Sequence, residues 1–318
     1  MHQWSDFFLP FRYDKLINMA FVPQRIQEEK AMSSYKIITD SCADLSPEMI
    51  NALDVSSIPL TVMFRGENRN DCVDDSIKEV YDGLRNGEVA TTAAANPAGW
   101  ASVMEPALQA GQDVLVLAFS SGLSTTYQSA VIAAADLADQ YPQRKILVAD
   151  TLCASLGQGL LVWYACKKRD EGMTLEQLYH WVEENKLHIC HWFTVDDLMY
   201  LKRGGRVSAA TALVGTMLQI KPVLHVDDEG HLISVSKARG RKGSLDAMVA
   251  KFGEDALNPE TQTIFISHGD CLEDAQYVGK KIQEKYGVVD VKYNYVGPVI
   301  GAHTGPGVVA LFFYGKKR

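Results

Sequence analysis

Residues 114–149 read VLVLAFSSGLSTTYQSAVIAAADLADQYPQRKILVA. The run Val114–Phe119 is apolar without alternation, Ser124–Gln140 has a helical pattern, and Ile146–Ala149 is a second apolar run. Strands of that kind are buried on both faces, and two of them joined through a helix lie parallel. Working outward, Lys36–Thr39 and Ile58–Phe64 read as further strands, with helices at Pro47–Leu53, Ser76–Asn86 and Pro97–Ala110. The sequence predicts a parallel sheet covered on both sides. Small polar residues stand at or near the carboxyl ends of its strands: Thr39-Asp40-Ser41, Thr61, Ser120-Ser121 and Asp150-Thr151. Ligands of open α/β sheets bind at that end. The same residue types also cap helices, so any one cluster alone decides nothing.

The pattern changes after an interrupted helical stretch, Leu156–Lys186, in which Thr174 and Gln177 suit a capping box. Strands are expected at Cys190–Thr194, Val223–Val226, His231–Ala238, Thr263–Ser267, Val291–Val296 and Val308–Tyr314. Helices are expected near Asp196–Leu201 and at Ala209–Leu218, Gly243–Phe252 and Leu272–Tyr286. Asp227-Asp228-Glu229-Gly230 is a hairpin signal, which makes its two strands antiparallel. The fold class is therefore α/β. An N-terminal α/β/α domain on a parallel sheet (34–170) precedes a C-terminal mixed α+β domain (171–318). Residues 1–33 carry aromatics without periodicity. They are expected to be an extension, either poorly ordered or read from an upstream start, since Met32 stands just before the first convincing strand.

At 318 residues the chain exceeds one ordinary domain, and 47% hydrophobic with 22% charged residues describes a globular protein. A net charge of −8 argues against nucleic-acid binding. The six cysteines (42, 72, 153, 166, 190 and 271) form no CxxC pair, which fits reduced thiols in a cytoplasmic protein. His188-Ile189-Cys190-His191 is the one local cluster of metal-ligand types. On a strand His191 points away from His188 and Cys190, so no metal is expected. There is no Gly-x-Ser-x-Gly elbow, P-loop or dinucleotide fingerprint.

Four groups of residues stand out chemically. Gly297–Gly307 holds six glycines and prolines in eleven positions, and its polar side chains are His303 and Thr304. It reads either as a tight connection between strands or as a rigid holder for an imidazole and a hydroxyl. In Ser120–Ala130 the hydroxyls of Ser120 and Ser124 and the first helix amides suit a carboxylate or phosphate. Lys202-Arg203-Gly204-Gly205-Arg206 suits an anion through paired guanidinium forks. A second basic run carries Lys237, Arg239, Arg241 and Lys242. His268 ends a strand, where it can donate to an anion or act as a base.

Taken in order, Thr39-Asp40-Ser41, Ile58-Pro59-Leu60, Thr91-Thr92, Ser120–Ala130, Leu201–Arg206, Ile220-Lys221-Pro222, His268-Gly269 and Gly301–Gly307 resemble the DegV family. These are bacterial fatty-acid-binding proteins, some of them the lipid-carrying subunit of fatty acid kinase. The resemblance covers Tyr35 to the C-terminus. It implies a long-chain fatty acid in the cleft between two domains, and a separate ATP-dependent kinase that phosphorylates its carboxylate. It places the family's carboxylate-binding threonine at Thr61 and its Thr-Ser pair at Thr92-Ala93. The missing serine hydroxyl leaves Thr92, the Ala93 amide or Ser120 to take its part. Ser124, Arg203, His268, His303 and Thr304 complete the expected ligand site, and Lys202, Arg206, Arg239 and Arg241 are expected to dock the kinase. No catalytic residue and no cofactor are expected. Transient contact with a membrane is expected where lipid is collected. Two other readings stay open: an enzyme acting alone through His268 and a serine, and a lipid carrier or sensor without a kinase.

Overall fold

The computed structural model describes residues 35–71, 76–207 and 219–318. The expectations for residues 1–33, for a helix at 209–218 and for Cys72 lie outside those residues. Ser34–Arg318 forms one compact unit.

Strands β1 (Tyr35–Asp40), β2 (Val55–Ile58), β6 (Asp113–Ala118) and β7 (Ile146–Asp150) form an all-parallel sheet in the order β2-β1-β6-β7. The near-continuous hydrophobicity of β6 and β7 has a direct cause. Ile37, Leu115 and Leu117 pack on one side against α5 (Leu156–Asp170) and α6 (Leu175–Asn185). Ile38, Val114 and Val116 pack on the other against α3 (Pro97–Gln109) and α4 (Thr126–Gln140). The break expected in the long helical stretch falls between α5 and α6, where Thr174 and Gln177 close the capping box.

The strand expected over Ile58–Phe64 is in fact two. Pro59 has no N–H to offer a ladder, and the Leu60 amide donates to Ser41 Oγ (3.0 Å) instead. The chain then leaves the parallel sheet. Strand β3 (Thr61–Phe64) pairs antiparallel with β4 (Glu67–Asn70) and β5 (Thr91–Ala93) in a small separate sheet. The two-residue turn between β3 and β4 places Arg65 and Gly66 at φ 51° and 80°, the handedness that suits a tight hairpin.

A six-stranded mixed sheet follows, in the order β10-β9-β8-β13-β11-β12. Its strands are β8 (Ile189–Thr194), β9 (Ile220–Val226), β10 (Leu232–Arg239), β11 (Thr263–His268), β12 (Asp290–Tyr295) and β13 (Val309–Tyr314). The β9–β10 hairpin is antiparallel as its loop implied. Helices α8 (Gly240–Asp255) and α9 (Leu272–Tyr286) cover one face. The other face, through Phe193, Phe265, Ala310 and Phe312, packs into the same core as α5. That helix is thus sandwiched between the two large sheets.

Gly297–Gly307 is not an irregular connection. Residues Pro298–Thr304 form a short helix, α10. Pro298 sits at its first position, where a missing N–H costs nothing.

The sandwiching of α5 leaves no room at Gly157, where a Cβ would lie 2.2 Å from His191 Nε2 and 2.7 Å from Phe312 Cδ1. Alanine normally strengthens a helix at the expense of glycine. Gly157→Ala should instead lower stability by about 1–3 kcal/mol, the cost of overpacking. Urea unfolding will measure it; an unchanged or higher midpoint would mean that α5 is not clamped in this way.

Candidate functional site

A cavity of about 410 Å³ opens between the two large sheets, within the ~300–1,000 Å³ usual for ligand sites. Leu60, Phe119, Leu123, Phe193, Leu201, Val226, Val299, Ile300, Val308, Ala310 and Phe312 supply most of its wall. They come from both halves of the chain. Polar side chains enter mainly from Thr92, Ser121, Ser124, Thr125, Ser155, His191, Arg206, His303 and Thr304. Arg206 is the one Lys or Arg among the described lining residues.

Helix α10 delivers His303, whose Nε2 lies 2.8 Å from Thr92 Oγ1 on β5. Its Nδ1 is buried without a hydrogen-bond partner and faces Gly204, where a Cβ would approach to 2.1 Å. The glycine of the basic loop is therefore the space in which this imidazole sits. Burial, with Arg206 nearby as a second cause, pushes His303 down to about 4, so the ring is neutral at pH 7. An unpaired buried acceptor is tolerated better than an unpaired N–H. That favours the tautomer in which Nε2–H donates to Thr92 Oγ1, leaving the threonine proton free to point into the cavity. Arg206 is half-buried and tethered: its Nε donates to Leu123 O (3.2 Å) and its Nη1 to Gly204 O (2.6 Å).

The two arginines exchange the places expected of them. Arg206, expected on a docking surface, lines the cavity, while Arg203, expected at the ligand, is exposed with its guanidinium 5.0 Å from the Tyr200 ring centroid. Thr92, Ala93, Ser124, His303 and Thr304 line the cavity; Thr61, Ser120 and His268 do not. Thr61 lies opposite Ala93 in the β3–β5 register. Ser120 is buried and donates to Gly230 O (3.0 Å). His268 accepts from the Cys271 amide through Nδ1 (3.3 Å), its ring 4.5 Å from that of Tyr295. Of the remaining basic residues, Lys202 and Arg239 are exposed, and Arg241 is engaged with Asp274 (2.8 Å) and Asp196 (3.6 Å). Ser121, Thr125, Ser155 and His191 are lining residues that sequence reading missed. Ser121 stood in a noted cluster, whereas His191 was noted only in the His188–His191 group of metal-ligand types, with nothing to mark it as a wall residue.

Behind the cavity lie three buried carboxyl groups. Asp44 Oδ1 accepts from the Gly297 amide (2.9 Å), and its Oδ2 accepts from Ser155 Oγ. Asp71 accepts from the Val299 amide (2.8 Å) and from Ser41 Oγ (2.7 Å). Asp40 accepts from the Phe119 amide (2.7 Å) and the Cys42 amide (3.0 Å). Burial raises all three against the lowering effect of these bonds: Asp40 to about 7, Asp71 to about 6, and Asp44 well above the usual carboxylate range. Among the described residues no group of His, Cys, Asp and Glu is arranged to hold a metal ion, and no helix is long and apolar enough to cross a membrane.

Two sheets of an α/β fold thus enclose an apolar cavity with hydroxyls and one guanidinium in its wall. The chain belongs to the DegV family: the profile of the family described as "Uncharacterised protein, DegV family" matches residues 34–316. It is 43% identical over 289 residues to a DegV domain-containing protein of Clostridium perfringens, covering 90% of this chain and 99% of the relative. Among solved structures it is similar to a fatty-acid-binding DegV family protein from Thermus thermophilus, with a TM-score of 0.79, 31% identity, and 88% and 99% of the two chains covered. The Streptococcus pneumoniae fatty acid kinase B3 protein, solved with linoleic acid, shares the fold at a TM-score of 0.77 and 20% identity, covering 88% and 99%.

Asp71 offers a pH test of the buried carboxyls. An unfolded aspartate titrates near ~3.9, whereas the folded group is held at about 6. Between these values the folded chain keeps a proton that the unfolded chain has lost, so this group's stabilisation falls as pH rises. Asp71→Asn removes the titration, and its stability relative to the native chain should improve from pH 4 to pH 6. Urea unfolding across that range will show it. A difference independent of pH would mean that Asp71 is already ionised there.

Proposed function

We propose that the cavity holds a long-chain fatty acid and presents its carboxylate, in the cytoplasm, to a separate ATP-dependent kinase. The observation that carries this reading is the distribution of polarity: an apolar wall, with Thr92, His303 and Arg206 gathered at one part of it. A palmitate-sized chain buries ~14 methylenes, worth about 11 kcal/mol at ~0.8 kcal/mol each. That lies within the ~4–15 kcal/mol range for the cost of association. The head group then needs partners only to avoid the penalty of being buried unpaired. Thr92 supplies a hydroxyl proton through the His303 relay, and Arg206 supplies the compensating charge. Ala93 leaves no second hydroxyl on β5, so the guanidinium carries more of the task.

The fold is that of the fatty acid kinase B3 protein, and Lys202, Arg203 and Arg239 are exposed basic groups that a partner can reach. An enzyme acting alone through His268 gains nothing from the geometry, because no serine hydroxyl among the described residues bonds that ring.

Native mass spectrometry of the protein purified from a bacterial host should reveal a co-purifying fatty acid. Thr92→Val should weaken retention about threefold to tenfold, in line with ~0.5–1.5 kcal/mol for a neutral hydrogen bond. Arg206→Gln should cost more, at ~1.5–3 kcal/mol for a charged one. Arg203→Ala should leave lipid retention intact while lowering acyl phosphate formation with a host kinase. A chain that carries no lipid would end the reading. One that binds lipid but is never phosphorylated would be a carrier or sensor.

A further inference from the structure

The strand register gives the cavity a direction. Thr304 closes α10, and Val308, Ala310 and Phe312 then line the cavity in turn along β13. Each faces the same side, since alternate residues of a strand do. From Val308 to Phe312 the wall extends ~13 Å at ~3.3 Å per residue. Phe193 lies opposite Ala310, and His191 lies opposite Phe312. The group formed by His303 and Thr92 therefore marks one end, and His191 with Phe312 marks the other.

The His191 side chain at that far end is held at both ring nitrogens. The His191 ring stands perpendicular to Phe312, with centroids 5.2 Å apart and planes at 88°. Its Nε2 accepts from the Ala154 amide (3.2 Å), so the proton is on Nδ1, which donates to Ile189 O (2.8 Å). Gly157 packs directly against the same ring. The neighbouring Ser155 hydroxyl is likewise engaged, with Asp44 and with Ser267 (2.8 Å). The hydrogens of both groups are taken up within the protein. They offer a ligand no donor, only a wall.

We infer that His191 and Phe312 form the stop of the acyl tunnel and set the longest chain this protein retains. The inference rests on the fatty-acid reading of the cavity and adds to it a residue that determines specificity. Room opened at the stop lets a longer tail extend towards α5, whereas changes at the head-group end act on all chain lengths alike.

The test is competitive retention of palmitate and stearate by the native chain, His191→Ala, Phe312→Leu and Thr92→Val, read by mass spectrometry of the extracted lipid. In His191→Ala and Phe312→Leu the stearate-to-palmitate ratio should rise about tenfold, the worth of two further buried methylenes once they have space. In Thr92→Val total retention should fall with the ratio unchanged. Loss of the Ala154 partner makes His191→Ala the variant more prone to misfold, and Phe312→Leu decides the matter alone if it does. Lipid bound by the native chain with the same ratio in both tail-end variants overturns the stop. No lipid in the native chain overturns instead the reading of the cavity on which it stands.

Discussion

Two carboxyl groups of the N-terminal half hold a helix of the C-terminal half by its main chain. Asp44 accepts from the Gly297 amide and Asp71 from the Val299 amide, and these are groups that the start of a helix leaves without internal partners. The Asp44 carbonyl takes a further bond from Asn294 (2.7 Å). Negative charge at a helix start is favourable, and burial is not. The raised Asp71 and Asp44 are the outcome of that contest. What it secures is position: α10 is set against β5, and His303 comes within hydrogen-bond reach of Thr92.

From that contact the rest of the site follows. The imidazole fills the space that Gly204 leaves open, and the backbone around Gly204 in turn holds the Arg206 guanidinium. The guanidinium reaches Leu123 O, at the loop before α4. Three segments distant in sequence thus meet at one end of an apolar cavity, each fixed by main-chain groups rather than by exposed ion pairs.

Much of the fold was legible because burial on both sides of a parallel sheet writes itself into composition: β6 is apolar after Asp113 and β7 up to Asp150, and Thr174 with Gln177 announces α6. Elements set by other forces were hidden. Strand β4, Glu-Asn-Arg-Asn, is polar throughout and exists because a tight turn folds it back on β3. The break at Pro59 looked like one strand because apolar residues continue across it. Helix α10 was hidden by its glycines and prolines; its amides are satisfied by carboxylates more than two hundred residues away. At the site, His303, Thr304 and Ser124 stood out as polar groups in rigid or helix-starting segments and Thr92 came through the family resemblance, whereas His191 drew notice only among metal-ligand types.

The sequence by itself determined the two-sheet α/β plan, the family, and the short list of hydroxyls, imidazoles and guanidiniums available to a ligand. These depend on local pattern and residue chemistry, which the chain carries at every position. Only the tertiary structure decided that Arg206 turns inward while Arg203 stays in solvent, that Thr61 stands outside the cavity wall, and that His191 forms part of it. Those outcomes turn on how sheets, α5 and α10 pack together, and a side chain's direction is settled by neighbours that sequence order does not name.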